Sequence, residues 1–127
     1  MIRPAAIAIA VLALGGVTVL RAADSSTAAP YPARLQAVAD EFTLVLSRTA
    51  VRKRQVKIEL VNFGEDPHDL RLRRIGGKHT FVIGETLPGA SRSKTFTLPY
   101  GRYRVWCSIA NHRELGMRAV LRVRRPS

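Results

Sequence analysis

Cys107, His112 and Met117 follow one another at five-residue steps in the run WCSIANHRELGM, and His68 lies upstream in NFGEDPHDL. The chain holds one Cys, two Met and three His, and these two segments take one, one and two of them. A thiolate, two imidazoles and a distant thioether are the donor set of a blue-copper electron-transfer site. The thiolate and thioether are soft donors that suit Cu(I), while imidazole serves both oxidation states. A trigonal His, His, Cys set with a weak axial Met need not rearrange when one electron arrives. Structural zinc asks for four strong ligands at closed tetrahedral geometry, and Met is a poor fourth. A single Cys has no partner in its own chain, which excludes an internal disulfide.

Each residue has an ordinary reading when taken alone. A Cys beside Trp and Val on an apolar strand serves as a small core hydrophobe. Met117 fits a core, His112 a surface loop, and His68 after Asp66-Pro67 a turn. The conjunction favours the metal. Cys, His and Met occur in that order on one short loop between two strand-like runs, and His68 opens another strand.

These ligands need strands to hold them. Between residues 40 and 124 the apolar pattern has period two rather than 3.6. Phe42, Leu44 and Leu46 alternate with more polar neighbours, as do Val56, Ile58 and Leu60, and His68, Leu70 and Leu72. Shorter runs cover 80–84 and 94–98, and the last two strands cover 102–108 and 117–124. Gly64, Gly76-Gly77, Pro88-Gly89 and Pro99-Tyr100-Gly101 punctuate them. About seven short strands with such turn signals predict a β-sandwich. Side chains alternate faces along a strand. His68 therefore shares the inward face with Leu70 and Leu72, Cys107 with Tyr103 and Val105, and Met117 with Ala119, Leu121 and Val123. Arg71, Arg73, Arg102, Arg104, Arg118, Arg122 and Arg124 fall on the outward face, which leaves their charge in water. Trp106 shares that face and is open to capping by an Arg through a cation–π contact. Asn62 points inward near His68 and must satisfy its amide, either by bridging the ligand loops or by capping a turn. His79, after Gly76-Gly77-Lys78, reads as a surface turn residue.

The residues that carry this pattern resemble those of the cupredoxins, the plastocyanin–azurin–rusticyanin type of small blue copper protein. The matching pieces are Asn62, the run His68-Asp69-Leu70, Tyr103 with Cys107-Ser108 after it, and then His112 and Gly116-Met117. The resemblance spans about residues 40–124. The Cys-to-His and His-to-Met gaps resemble those of rusticyanin and sulfocyanin more than that of plastocyanin, whose first gap is shorter. The resemblance implies an all-β, Greek-key β-sandwich with one copper ion held by His68, Cys107, His112 and Met117. It implies that the residue after the first His ties the ligand loops together. Many members carry Asn there; this chain has Asp69, which retains the ability to accept from Ser108. It further implies that His112 is the electron port, with Ile109, Ala110, Leu115 and Pro88 as an apolar docking rim. Cytochromes and oxidases are the partner class it implies.

The chain's 127 residues leave room for one domain. Arg3, the uncharged stretch 4–20 and Arg21 read as an export signal or an N-terminal membrane anchor, assigned to residues 1–23. Residues 24–38, rich in Ala, Ser and Pro, are expected to be a linker, and 39–127 the folded domain. The charge flanks place that domain outside the cytoplasmic membrane, periplasmic or extracellular. The net charge is +12; residues 1–23 hold two of the 21 cations and none of the nine acids, so the remainder keeps 19 against nine, or +10. Such a surface attracts an acidic redox partner or an anionic membrane. Nucleic acid is not expected, because no recognition motif accompanies the charge. A monomer is expected. A copper-delivery protein using the same ligands is the alternative to an electron carrier. A copper enzyme with a second metal centre would need more histidines than the single spare His79, so no enzymatic activity is expected.

Overall fold

The structure, a computed structural model, describes residues 31–127. The expected export or anchor segment, 1–23, and the first part of the expected linker lie outside the described residues.

Nine strands and one short helix follow one another. They are β1 (Ala33–Asp40), β2 (Thr43–Leu46), β3 (Ala50–Val51), β4 (Gln55–Asn62), β5 (His68–Arg74), β6 (Thr80–Thr86), β7 (Ser91–Thr97), β8 (Gly101–Trp106), α1 (His112–Leu115) and β9 (Arg118–Val123). They form a four-stranded sheet in the order β2-β1-β4-β7 and a five-stranded sheet in the order β3-β9-β8-β5-β6. The chain crosses between the sheets after β2, β3, β4, β6 and β7, which gives Greek-key connectivity. Most pairs are antiparallel, but β1 runs parallel to β4 and β3 parallel to β9.

Period-two patterning closes the sandwich. Val56, Ile58 and Leu60 of β4 are fully buried, and so are Leu70 and Leu72 of β5, Tyr103 of β8 and Leu121 of β9. Burial of such side chains drives the two sheets together at about 25 cal/mol per Å² of apolar area. The Tyr103 hydroxyl donates to the Pro99 carbonyl at 2.6 Å, so the ring fills the core without orphaning its polar tip. On the outer face Arg73 and Arg113 lie 5.7 and 5.0 Å from the centre of the Trp106 ring, and together they shield it.

Two expectations need correcting. The stretch read as linker, 24–38, contains most of β1, which begins at Ala33. β1 does alternate: Leu35, Ala37 and Ala39 are buried between Arg34, Gln36 and Asp40. Two of its three core residues are alanines, so the inward face has the composition of a linker. Its stability comes from pairing along its whole length with β4, from Ala33↔Val56 to Ala39↔Asn62. The second correction is the strand number. β1 and the two-residue β3, held against Arg122 and Val123 of β9, bring the total from about seven to nine.

Candidate metal centre

β5, β8 and β9 are neighbours in one sheet, so their ends meet at one pole of the sandwich. His68 is the first residue of β5, Cys107 follows β8, Met117 precedes β9, and His112 opens α1 in the loop between them. His68, Cys107 and Met117 are fully buried and His112 is 5% exposed. The loop is fastened by its own backbone: Cys107 N–H donates to the Met117 carbonyl at 3.1 Å, and Met117 N–H donates to the His112 carbonyl at 3.0 Å. Gly116, at φ 132°, lies where an added Cβ would sit 2.9 Å from the Phe42 carbonyl, so the turn into Met117 tolerates no side chain.

Three donor atoms converge. His68 Nδ1 is 3.2 Å from His112 Nδ1, and Cys107 Sγ is 3.9 and 3.7 Å from those two nitrogens. A first-row ion bonds imidazole at about 2.0 Å and thiolate at about 2.3 Å. At the centre of a trigonal plane such bonds space two nitrogens about 3.5 Å apart and nitrogen from sulfur about 3.7 Å. The observed triangle therefore fits one ion with little movement. Among the described residues this is the one cluster of His, Cys and acidic side chains suited to a metal. With a thiolate, two imidazoles and a buried thioether nearby, the donor chemistry is that of type 1 copper rather than of structural zinc.

The surroundings fix the ligands before metal arrives. His68 Nε2 lies 3.0 Å from Glu41 Oε1, which assigns the proton to Nε2 and leaves the Nδ1 lone pair facing Cys107 and His112. Glu41 is itself held by the backbone N–H groups of Glu65 and Asp66, each at 2.8 Å. Those two N–H groups, Asp66 first, and then His68 hold its carboxyl below the ordinary glutamate range. A Cβ at Gly64 would collide with the Glu41 carboxylate, so that position must be glycine for the carboxylate to reach its place. The Asp69 carboxylate accepts from Ser108 N–H at 2.6 Å and from Ser108 Oγ at 2.5 Å, and Arg71 Nε donates to it at 3.2 Å. This joins the His68 segment to the Cys107 segment. Burial pushes the Cys107 thiol up, so the metal-free site keeps its proton and the incoming ion must displace it.

Asn62 has a different role from the bridge between ligand loops that its position allowed. Its amide donates to the carbonyls of Asp66 and Thr86 at 2.8 and 2.9 Å, and its oxygen accepts from Gly64 N–H at 2.8 Å. It shapes the turn before His68 and ties it to the end of β6, with no contact to the Cys107 loop among these bonds. Of the expected apolar rim, Leu115 is 51% exposed, Ala110 and Pro88 are exposed, and Ile109 is half-buried. Phe63 and Leu87, at 70% and 59% exposure, lie on the neighbouring 62–66 and 87–90 turns and extend this apolar surface. His79 packs on Phe81 at the far end of β6 and takes no part.

Glu41 and Phe42 were not legible as site residues. Phe42 lies 4.8 Å from the His112 ring, centre to centre. Both sit on the β1–β2 turn, in the opposite sheet from the ligands. Nothing in their spacing from His68 signals contact; only the packing of that turn over the copper end does.

The distribution of charge also differs from what the total suggests. Asp40, Glu41, Glu65 and Asp66 surround the His68 end, and Asp69, Glu85 and Glu114 lie at the same pole. Asp66 Oδ2 is 3.7 Å from His112 Nε2. The remaining acid among residues 31–127 is Glu59, midway along β4. The cations at this pole are Arg113 and a few strand-end arginines, fewer than its seven acids.

No family profile matches the chain, and no curated protein matches its sequence. Solved structures do. The dithionite-reduced auracyanin of the photosynthetic bacterium Roseiflexus castenholzii superposes with a TM-score of 0.60 at 18% identity, covering 71% of this chain and 95% of that one. Auracyanin B gives 0.58 at 19% identity, covering 72% and 87%. Auracyanin A of Chloroflexus aurantiacus, described as a blue copper protein, gives 0.56 at 17% identity, covering 73% and 99%. The shared fold and the donor geometry converge: the chain has the cupredoxin fold and carries, at one end of the sandwich, a His, Cys, His and Met set that fits one copper ion of type 1.

Proposed function

We propose that the protein is a single-electron carrier that works outside the cytoplasmic membrane. The observation that carries this reading is the preset triangle of His68 Nδ1, Cys107 Sγ and His112 Nδ1, with edges of 3.2–3.9 Å in a buried site. Copper held there supplies one-electron chemistry through the Cu(I)/Cu(II) couple. The residues supply the rest. Glu41 and Asp69 keep His68 and the Cys107 loop in place, so little reorganisation accompanies the electron. His112, alone of the three trigonal ligands in retaining some exposure, is the route to the surface. Location outside the membrane is supported by the charge flanks of the uncharged stretch 4–20.

A redox protein such as a cytochrome or oxidase is the proposed partner. Net charge pointed to an acidic one. The acids at the copper end favour instead, for docking there, a partner with a cationic rim around an apolar centre. Leu115, Phe63 and Leu87 offer the matching apolar surface. Transient redox interfaces are small, below about 1,200 Å².

Copper delivery is the competing reading, and burial speaks against it. An ion passed to an acceptor needs ligands that can be reached one at a time, whereas three of these are wholly buried. The test is spectroscopic and electrochemical. Cu(II) should give an intense visible thiolate band that Cys107→Ser abolishes, with a reversible midpoint potential and fast self-exchange. A colourless protein that binds zinc equally well would refute the copper site. A coloured protein with sluggish redox and rapid loss of copper to a metal-free acceptor would refute the carrier.

A further inference from the structure

β1 runs from Ala33 to the copper end at Asp40, a span of roughly 25 Å. Tyr31 and the chain leading into β1 therefore lie at the pole opposite the metal. The turn before β4, the turn after β5 and the segment after β9 meet there as well. They bring Arg52, Arg54, Arg74, Lys78, Arg124 and Arg125 to one end, all exposed. None of the eight acids among residues 31–127 lies at this pole, because seven are at the copper end and Glu59 is midway. The long axis of the sandwich is thus a charge dipole, cationic where the chain enters and acidic where the electron leaves.

The cationic pole also carries apolar and aromatic groups. Tyr31 is 75% exposed and Ile75 43% exposed. Arg54 and Arg125 lie 6.0 and 5.3 Å from the centre of the Tyr100 ring. Lys53 Nζ donates to the Tyr31 carbonyl at 2.9 Å, which fixes the entering chain against this surface. Aromatic rings with cations beside them suit the boundary between anionic headgroups and water.

We propose that this pole rests on an anionic lipid surface and so points the copper end away from the membrane. Charge complementarity is one argument, and the place where the described chain begins is the other. The uncharged stretch 4–20 precedes Tyr31 by only ten residues, so whatever holds that stretch at a bilayer brings this pole, not the copper pole, to the headgroups. The proposal concerns the charge distribution alone and stands whether or not the metal site carries electrons.

The test uses the full chain without copper, with vesicles of phosphatidylcholine alone and of an equal mixture with phosphatidylglycerol. The 4–20 stretch contributes to both, and Arg3 and Arg21 add the same anionic preference to every variant, so the loss on substitution at the pole isolates its share. Each cation near such a surface is worth about fivefold in binding, so Arg52→Gln with Arg124→Gln should cut the preference by about 25-fold at low salt. Lys94→Gln with Arg104→Gln makes the same charge change on strand faces and should leave most of it. Salt should erase the preference as the Debye length falls toward about 3 Å at 1 M. Equal losses in the two double variants, or no preference for the anionic vesicle, would overturn the proposal. So would binding to poly-glutamate or duplex DNA that depends on Arg52 and Arg124 while vesicle binding does not, since the occupant would then be a soluble polyanion.

Discussion

Glu41 is the side chain through which the protein acts most directly on its metal. Its carboxylate faces His68 Nε2 at 3.0 Å, and the negative charge makes the opposite nitrogen a stronger donor, which favours Cu(II). Glu41→Gln should keep the blue band and raise the midpoint potential, as measured by spectroelectrochemical titration. Glu41→Ala, which removes the contact, should lower copper affinity by about 10- to 100-fold. An unchanged potential in Glu41→Gln would assign Glu41 to loop architecture only. The metal-free protein carries a second signature. The Glu41 carboxyl is lowered in the folded state, so the stability it contributes is present above the ordinary glutamate value and is lost as pH falls through the folded one. Glu41→Gln should therefore flatten the acid limb of a pH–stability curve. Met117 offers a second residue-scale test. If its thioether is a weak donor to Cu(II) it would lower the potential, and Met117→Leu should then retain copper and colour while raising the potential. Loss of copper would show that Met117 is a strong ligand or a folding residue, and an unchanged potential that it is no ligand.

Strands divide into those that announce themselves and those that do not. β4, β5, β8 and β9 alternate large apolar residues with charged ones, and side-chain parity then places His68, Cys107 and Met117 on the inward face. All three are fully buried. β1 hides because two of its three buried residues are Ala37 and Ala39, and alanine has little strand signal of its own. The joint between His68 and Glu41 hides for a different reason. It depends on which turn lies over which loop, a property of the closed sandwich that no local period encodes. β1 also makes a sharp test of domain limits. It lies between β2 and β4 and supplies a hydrogen-bonding edge to each. A chain beginning at Tyr31 should show one cooperative thermal transition by circular dichroism. A chain beginning at Ala39, as the linker reading would have allowed, should show none. If the shorter chain melts cooperatively, β1 is dispensable and the four-stranded sheet is not a structural unit.

At the scale of the whole molecule, position matters more than sum. A net charge of +10 for residues 24–127 describes attraction at long range, yet a reactant arriving at His112 meets Asp66 at 3.7 Å from Nε2. Asp66→Asn should slow reduction by a cationic metal chelate and quicken oxidation by hexacyanoferrate, each by about threefold at low salt in stopped flow. Arg125→Gln, at the far pole, should change both far less. Equal effects of the two substitutions would mean that the total charge governs encounter. The placement of the donors has one more consequence. Cys107, His112, Met117 and His68 all belong to the five-stranded sheet and its loop, while Glu41 and Phe42 belong to the other. A thiolate-to-copper band at this site would accordingly be an optical gauge mounted on one half of the sandwich and touched by the other. With copper bound, a shift of the band ahead of its loss on heating would report slippage between the halves before the donor set itself comes apart.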